Sequence, residues 1–481
     1  MTRTSTLRLS GDFIAESTSG DLVLGSGLYA EGGASIDSRT AGTGEVFFAI
    51  QGPRFDGHEY LLQAVERGCA GLVVRRGRET DAMRAAAANP ARVFIVAVDD
   101  TETALARTAA AWVEVLSPIV VALTGSVGKT TTKDLVRAVS SSGRETLATV
   151  GNRNNRLGLS LTCLRLLPSH EVLVVEMGMN HPGEIADLCR IAPPRVGIVT
   201  MVAAVHLEGM GTLEAVAEAK AELVRALPPH GTAVLNGDDP RVAAMRSLTT
   251  AHILTFGTVA TADVRIESVE LDSDGRASVT FEIAGAFHQT RLSLVGAHHA
   301  MNAAAAVAAG MAVGIAPEKA CAALGAVTPG RHRMEVVSAG TIRILDDCYN
   351  ASPKSLRAAL DALVAVSGGR RVAILGDMLE LGEATEDAHL DAGRAAARAG
   401  VGLLIAVGRQ AGLIRRAAVE AGVPSGAVFE TPDAIAAATV AQAVVVARDT
   451  VLVKGSRGVG LELVVEGLAA RFKQGVSDTG N

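Results

Sequence analysis

Three residues stand where an ionised side chain carries a penalty unless it is put to use. They are Lys129 in TGSVGKTTT (124–132), Glu176 in EVLVVEM (171–177) and Lys220 in LEAVAEAKAELVRAL (213–227). The first run follows the apolar PIVVAL and precedes KDLVRAVSS, the strand–loop–helix setting a phosphate loop needs. Gly125 and Gly128 let backbone N–H groups along Ser126, Val127 and Thr131 close around an anion. The helix N-terminus adds its partial positive charge. Lys129 can reach the β- and γ-phosphates of a nucleotide, and the Thr130 hydroxyl can ligate Mg²⁺. Leu123 stands where the usual first glycine would fall, so the loop is a shortened G-x-x-G-K-T form. A plain glycine turn is the bland alternative, and the Gly-Lys-Thr context outweighs it.

Glu176 is a lone acid ending an apolar strand, suited to Mg²⁺, with an exposed strand-end acid as the even alternative. His206, after RVGIVTMV, would be an ordinary loop histidine if it stood alone. Lys220 interrupts the stripe Leu213, Val216, Ala217, Leu223, Val224 and Leu227. Taken by itself, that helix predicts a lysine stem lying on apolar surface with its head in water.

Other polar clusters fall at predicted strand ends. Asp346 and Asp347 open DDCYNASPKS and could hold a ribose or a metal; Ser352 and Pro353 there read as a helix N-cap and first turn. Lys454 and Ser456 in KGSRG follow the last apolar run, where doubly wound sheets place ligand groups. GNRNNRLG (151–158) carries Asn152, Asn154 and Asn155, either as turn formers or as a polar substrate loop. Asn302 lies one helical turn after His298, and core or capping roles are the default for both.

The elements that must position these residues alternate. VFFAI, GLVV and VFIVAV are strand-length runs in an α/β unit over 1–117. Over 118–330, strands and helices alternate as in a parallel sheet with helical crossovers, with an antiparallel edge near 262–295. Over 331–481, IRILDD, RVAILGD, GLLIAVG, AVVVA and TVLVKG read as a second doubly wound sheet. The fold class is therefore α/β in three domains. The 481 residues are too many for one ordinary core. A net charge of −6 without a basic block, and 3% aromatics, argue against nucleic acid as a partner. Five cysteines, odd in number and without C-x-x-C, form neither a disulfide framework nor a zinc motif. A reducing cytoplasm fits. The N-terminal run has no apolar core of a signal peptide, and AMNAAAAVAAGMAVGIA (300–316) reads as a packed helix, not a membrane span.

Taken together and in order, DSRTAGTGEVFFAIQGPRFDGHEYL (37–61), TGSVGKTTTKDL, EMGMNHPGEIADL (176–188), HLEGMGTLEAVAEAKAEL (206–223), DDCYNASPKS, AILGDMLELGE (373–383) and LVKGSRG resemble the Mur ligase family, the ATP-dependent amide-forming enzymes of peptidoglycan synthesis. The resemblance covers nearly the whole chain. It implies a first domain binding a UDP-sugar near Ser38, Arg39, Asp56 and His58, a central ATPase, and a Rossmann-like third domain that closes over the site. It implies Glu176 and His206 as metal ligands, with Asn302, Arg333 and Asp347 touching the nucleotide. Tyr349, Asn350, Lys454, Ser456 and the asparagine loop would meet the substrates. It also implies that Lys220 carries a carbamate that helps to bind a second Mg²⁺. Partial burial would lower the amine pKa and make carbamylation feasible.

Within the family, the stretches resemble most the members that join a UDP-MurNAc-tripeptide to D-alanyl-D-alanine. The expected mechanism phosphorylates the tripeptide carboxylate with ATP, and the amine then displaces phosphate. The expected chain is monomeric and cytoplasmic. Two alternatives stand beside this reading: a sister ligase adding a single amino acid, against which the lack of a D-N-P-R motif speaks, and a non-catalytic nucleotide-binding module.

Overall fold

The computed structural model describes residues 8–89, 92–205, 207–366 and 368–474. Besides a two-stranded pairing of Leu9–Ser10 with Tyr29–Ala30, three larger sheets run along the chain. The first has five strands in the order Asp21–Leu24, Phe94–Val98, Gly71–Arg75, Val46–Phe48 and Ala34–Ser35. Only its first strand is antiparallel to its neighbour. The helix Thr101–Leu116 leads out of it, and the only tryptophan, Trp112, donates its indole N–H to Leu166 O at 3.1 Å. That bond fastens the first sheet's helix to the central unit, and the two share one apolar core.

The central sheet has nine strands. The phosphate-loop strand Ile119–Thr124 lies between Val172–Glu176 and Val196–Val199, parallel to both. Its carboxyl end and theirs open on the same side, where α/β sheets bind ligands. At the far edge, Val264–Leu271, Arg276–Ile283 and Ala286–Val295 pair antiparallel, as the alternating pattern predicts. Burial there alternates along Arg276–Ile283, one face in the core and one toward solvent.

The alanine-rich run forms the helix His299–Ala312, buried on nearly every side. Its small side chains let it lie close to the phosphate-loop helix Lys129–Ser141: a Cβ on Gly310 would fall 2.4 Å from Val139 Cγ1. Among the described residues, no helix is long and apolar enough to cross a membrane.

The third sheet runs Glu335–Ala339, Ile342–Asp346, Thr450–Lys454, Arg371–Gly376, Leu403–Val407 and Val428–Thr431, parallel except for its first strand. One expectation fails here. AVVVA (443–447) is not a strand; its first two residues end the helix Ala434–Val444. The edge strand is instead Val428–Thr431, whose VFET has too little apolar length to stand out. A short β-branched run does not distinguish a buried strand from the last turn of a packed helix.

Candidate active site

The phosphate loop begins where Thr124 ends its strand. Gly125 has φ 151°, and Gly128, with φ 84°, is the N-cap of Lys129–Ser141. A Cβ on Gly125 would fall 1.9 Å from Thr200 Oγ1, whose hydroxyl donates to Val127 O at 2.8 Å and holds the loop's shape. Gly125→Ala is therefore expected to cost about 2–3 kcal/mol through overpacking and backbone strain. A thermal melt and an ADP titration check this: both midpoint and affinity should fall.

Lys129 folds back over its own loop, donating to Gly125 O at 2.7 Å. Its pKa is held below the ordinary lysine value by burial; Glu176 opposes that shift and Arg333 adds to it. Glu176, 1% exposed, accepts from the Thr130 hydroxyl at 2.7 Å and from Asn154 Nδ2 at 2.8 Å. A hydroxyl and a carboxylate at a helix N-terminus form the hard oxygen set that suits Mg²⁺ beside a nucleotide.

The asparagine loop divides its labour. Asn154 orients Glu176, Asn152 lines the cleft, and Asn155 caps the helix Arg156–Cys163 through Gly158 N–H at 2.9 Å. Asn302 accepts from the Thr132 hydroxyl at 3.3 Å, and a Cβ on Gly128 would lie 2.6 Å from its Oδ1. Asn302 therefore packs directly under the phosphate loop.

Lys220 does not reach water. The helix Leu213–Arg225, capped by Thr212, buries it to 2% exposure while keeping it on the wall of the same cleft. Burial drives its pKa well below the ordinary value, and the like charge of Lys129 adds to this. The snorkelling expected from the helix alone is thus corrected, because neighbouring elements cover the part of the stripe around Lys220, where Val216, Leu223 and Val224 are also buried. His206 lies outside the described residues.

The third domain forms the opposite wall. The Arg333 guanidinium stacks on the Tyr349 ring at 3.9 Å. Lys454, 2% exposed, donates to Asp347 Oδ2 at 2.5 Å and to Asn350 O at 3.0 Å. Ser456 Oγ accepts from Leu379 N–H at 2.9 Å, and Ser352 caps the helix Pro353–Ala365 in a capping box with Ser355. Asp347→Ala would leave a buried ammonium with one carbonyl and no counter-charge. The expected loss is about 3 kcal/mol in urea unfolding, and Asp347→Asn should lose less.

These walls bound a cleft of about 1280 Å³. The four first-domain residues are not among those lining it. Ser38 donates to Gln63 Oε1 at 2.7 Å, and exposed Arg39 pairs with Asp37, whose carboxyl it holds down at about 2. Buried His58 accepts from Arg75 N–H at Nε2, 3.0 Å away, so its proton sits on Nδ1 and is donated to Asp56 at 2.6 Å. His58 and Asp56 are thereby committed to each other and to the strand Gly71–Arg75.

Sequence reasoning missed two supports of the cleft. Buried Lys133 donates to Gly151 O at 3.1 Å, tying the phosphate-loop helix to the asparagine loop. Asp377 accepts from Arg409 and Gln410 N–H at 2.9 and 3.0 Å and fixes the end of its strand beside Ser456. Both lie in stretches that carry the resemblance, TGSVGKTTTKDL and AILGDMLELGE, but their partners lie across the fold and no local spacing assigns them a role.

The fold and cleft define a three-domain α/β protein with a phosphate loop facing a basic third-domain wall. Family models agree along the chain: "Mur ligase family, catalytic domain" over 33–113, "Mur ligase middle domain" over 123–310 and "Mur ligase, glutamate ligase domain" over 332–457. The chain belongs to the Mur ligase family. It is 36% identical over 470 residues to the UDP-N-acetylmuramoyl-tripeptide–D-alanyl-D-alanine ligase of Mycobacterium tuberculosis, covering 91% of this chain and 92% of the relative. The Escherichia coli enzyme of that name is 35% identical over 441 residues, covering 90% and 93%. Among solved structures, MurF from Acinetobacter baumannii aligns with TM-score 0.83 at 29% identity, over 96% of this chain and 99% of that one. MurF from Thermotoga maritima in complex with ADP aligns with TM-score 0.77 at 28% identity, over 92% and 98%.

Proposed function

We propose that this chain joins D-alanyl-D-alanine to a UDP-MurNAc-tripeptide, using ATP and passing through an acyl phosphate. The observation that carries the reading is convergence: Lys129, Glu176 and Lys220 from the central domain meet Arg333, Asp347 and Lys454 from the third in one cleft. Relatives of that activity match 90% or more of its length.

In the first step the tripeptide carboxylate oxygen attacks the γ-phosphorus, and the bond to ADP breaks. In the second, the dipeptide amine attacks the acyl carbon, the bond from that carbon to the phosphate oxygen breaks and phosphate leaves, and the amine proton passes to solvent. A carboxylate is a poor acyl donor, and phosphorylation gives it a leaving group. The loop N–H groups bind the phosphates, and Lys129 neutralises charge on the transferred phosphoryl group. That requires its ammonium to leave Gly125 O. Glu176 and the Thr130 hydroxyl would hold Mg²⁺, which would screen the negative phosphate oxygens from the incoming carboxylate. Lys220 as a carbamate would offer a second anionic ligand, and the low basicity imposed by burial leaves the neutral amine that CO₂ requires. The third-domain wall brings cationic groups to the acceptor and shields the acyl phosphate from water. Ser38, Arg39, Asp56 and His58 belong to the face that would hold the UDP-sugar. The working form is a cytoplasmic monomer.

The intermediate can be trapped. With ATP, Mg²⁺, the tripeptide substrate and hydroxylamine in place of the dipeptide, the substrate hydroxamate should accumulate together with ADP. ADP formed without hydroxamate would contradict an acyl phosphate.

A further inference from the structure

The segment joining the central and third domains is pinned at one point. His332 Nδ1 lies 2.7 Å from Asp346 Oδ2, at the end of the strand Ile342–Asp346, and His332 O accepts from Tyr349 N–H at 3.0 Å. His332 and Met334 both adopt positive φ, 61° and 55°, which for such residues is sustained only when the surroundings over-determine it. Cys348, 1% exposed, completes the cluster: one donor atom each from His332, Asp346 and Cys348 lie within 4.8 Å of one another.

Beyond that group, Glu462 Oε2 is buried with no hydrogen-bond partner, while its other oxygen stands 3.4 Å from Arg457. Burial pushes the Cys348 thiol up, and the carboxylates of Asp346, Glu462 and Asp347 push it further. The cluster thus holds a surplus of anionic or potentially anionic donors.

We propose that His332, Asp346 and Cys348 form a site for a borderline-soft divalent cation of the zinc class. A nitrogen, a sulfur and carboxylate oxygens are the donors such an ion takes in four-coordinate sites, whereas Mg²⁺ keeps to oxygen. Binding separates donors that now bond one another and expels the thiol proton to solvent, so affinity rises with pH. The ligands interleave with the cleft: His332 precedes Arg333, and Asp346 and Cys348 flank Asp347. Occupancy therefore shifts Arg333 and Asp347 and slows ATP turnover. No sequence motif marks the three together, because His332 and Asp346 stand 14 positions apart.

The test is a Co²⁺ titration of the metal-stripped full chain. A thiolate-to-cobalt charge-transfer band is expected to saturate near one equivalent and to be displaced by Zn²⁺. Cys348→Ser should abolish the band, and His332→Ala should weaken binding by about tenfold or more. Cys163→Ser, at another buried cysteine, should leave the band intact. No band, or a band that survives Cys348→Ser, would overturn the site. In excess Mg²⁺, Zn²⁺ should slow ATP turnover in the wild type and not in Cys348→Ser. Equal inhibition of both would overturn the coupling to the cleft. The Co²⁺ readout needs no assumption about the substrate, so a failure of the ligase reading and a failure of this site are told apart.

Discussion

Lys129→Ala is expected to lower turnover by about 10³-fold or more, roughly 4 kcal/mol of transition-state stabilisation. The wild-type ammonium is already inside the loop, 2.7 Å from Gly125 O, so no large movement is needed to meet a phosphate. Its burial keeps water from screening the charge, which raises what the charge is worth to a transferring phosphoryl group. Truncation removes that charge and leaves the loop N–H groups in place. ADP should therefore still bind, weakened far less than turnover. Glu176→Ala should show a comparable loss of turnover for a different reason: Thr130 and Asn154 would both lose their partner. Raising Mg²⁺ should partly restore activity in Glu176→Ala and not in Lys129→Ala. Equal activity of Lys129→Ala and wild type under saturating ATP would contradict the assignment.

The second large effect concerns Lys220. Lys220→Ala should lower turnover by about 10²-fold or more. If the working group is an anion built on the amine, a small carboxylate such as acetate should recover part of the loss in Lys220→Ala. A small amine should not. The reverse pattern would show that the ammonium is the working form.

Stability should move the other way. The folded-state pKa of Lys220 is depressed by burial, so between that value and the ordinary lysine pKa the unfolded chain binds more protons than the folded one. Stability therefore rises with pH across that window, and below it the penalty is complete. In CO₂-depleted, metal-free buffer, Lys220→Met should melt higher than wild type at neutral pH and lose the alkaline rise. A buried lysine retained at a cost in stability is the trade-off expected of a working group.

The features legible in the sequence are local ones. TGSVGKTTT reveals its function because strand, glycines, lysine and helix are contiguous, and the antiparallel edge shows in the alternation of ADVRIESVEL. The stripe around Lys220 marks the helix face but not its cover, which comes from elements far along the chain. Asp377 and Lys133 gain their roles only through partners across the fold. The pairing of His58 with Asp56 follows from the Arg75 N–H that fixes the ring, 17 residues away. AVVVA misleads because a valine run satisfies both a buried strand and the end of a packed helix.

The central claim is that the phosphate loop serves amide ligation to a dipeptide. The most direct test is phosphate release from ATP and Mg²⁺ in the presence of UDP-MurNAc-tripeptide, with and without D-alanyl-D-alanine. The account predicts release that rises sharply with the dipeptide and not with single amino acids, matched by pentapeptide formed in equal amount. Release indifferent to the dipeptide, or driven equally well by a single amino acid, would contradict it.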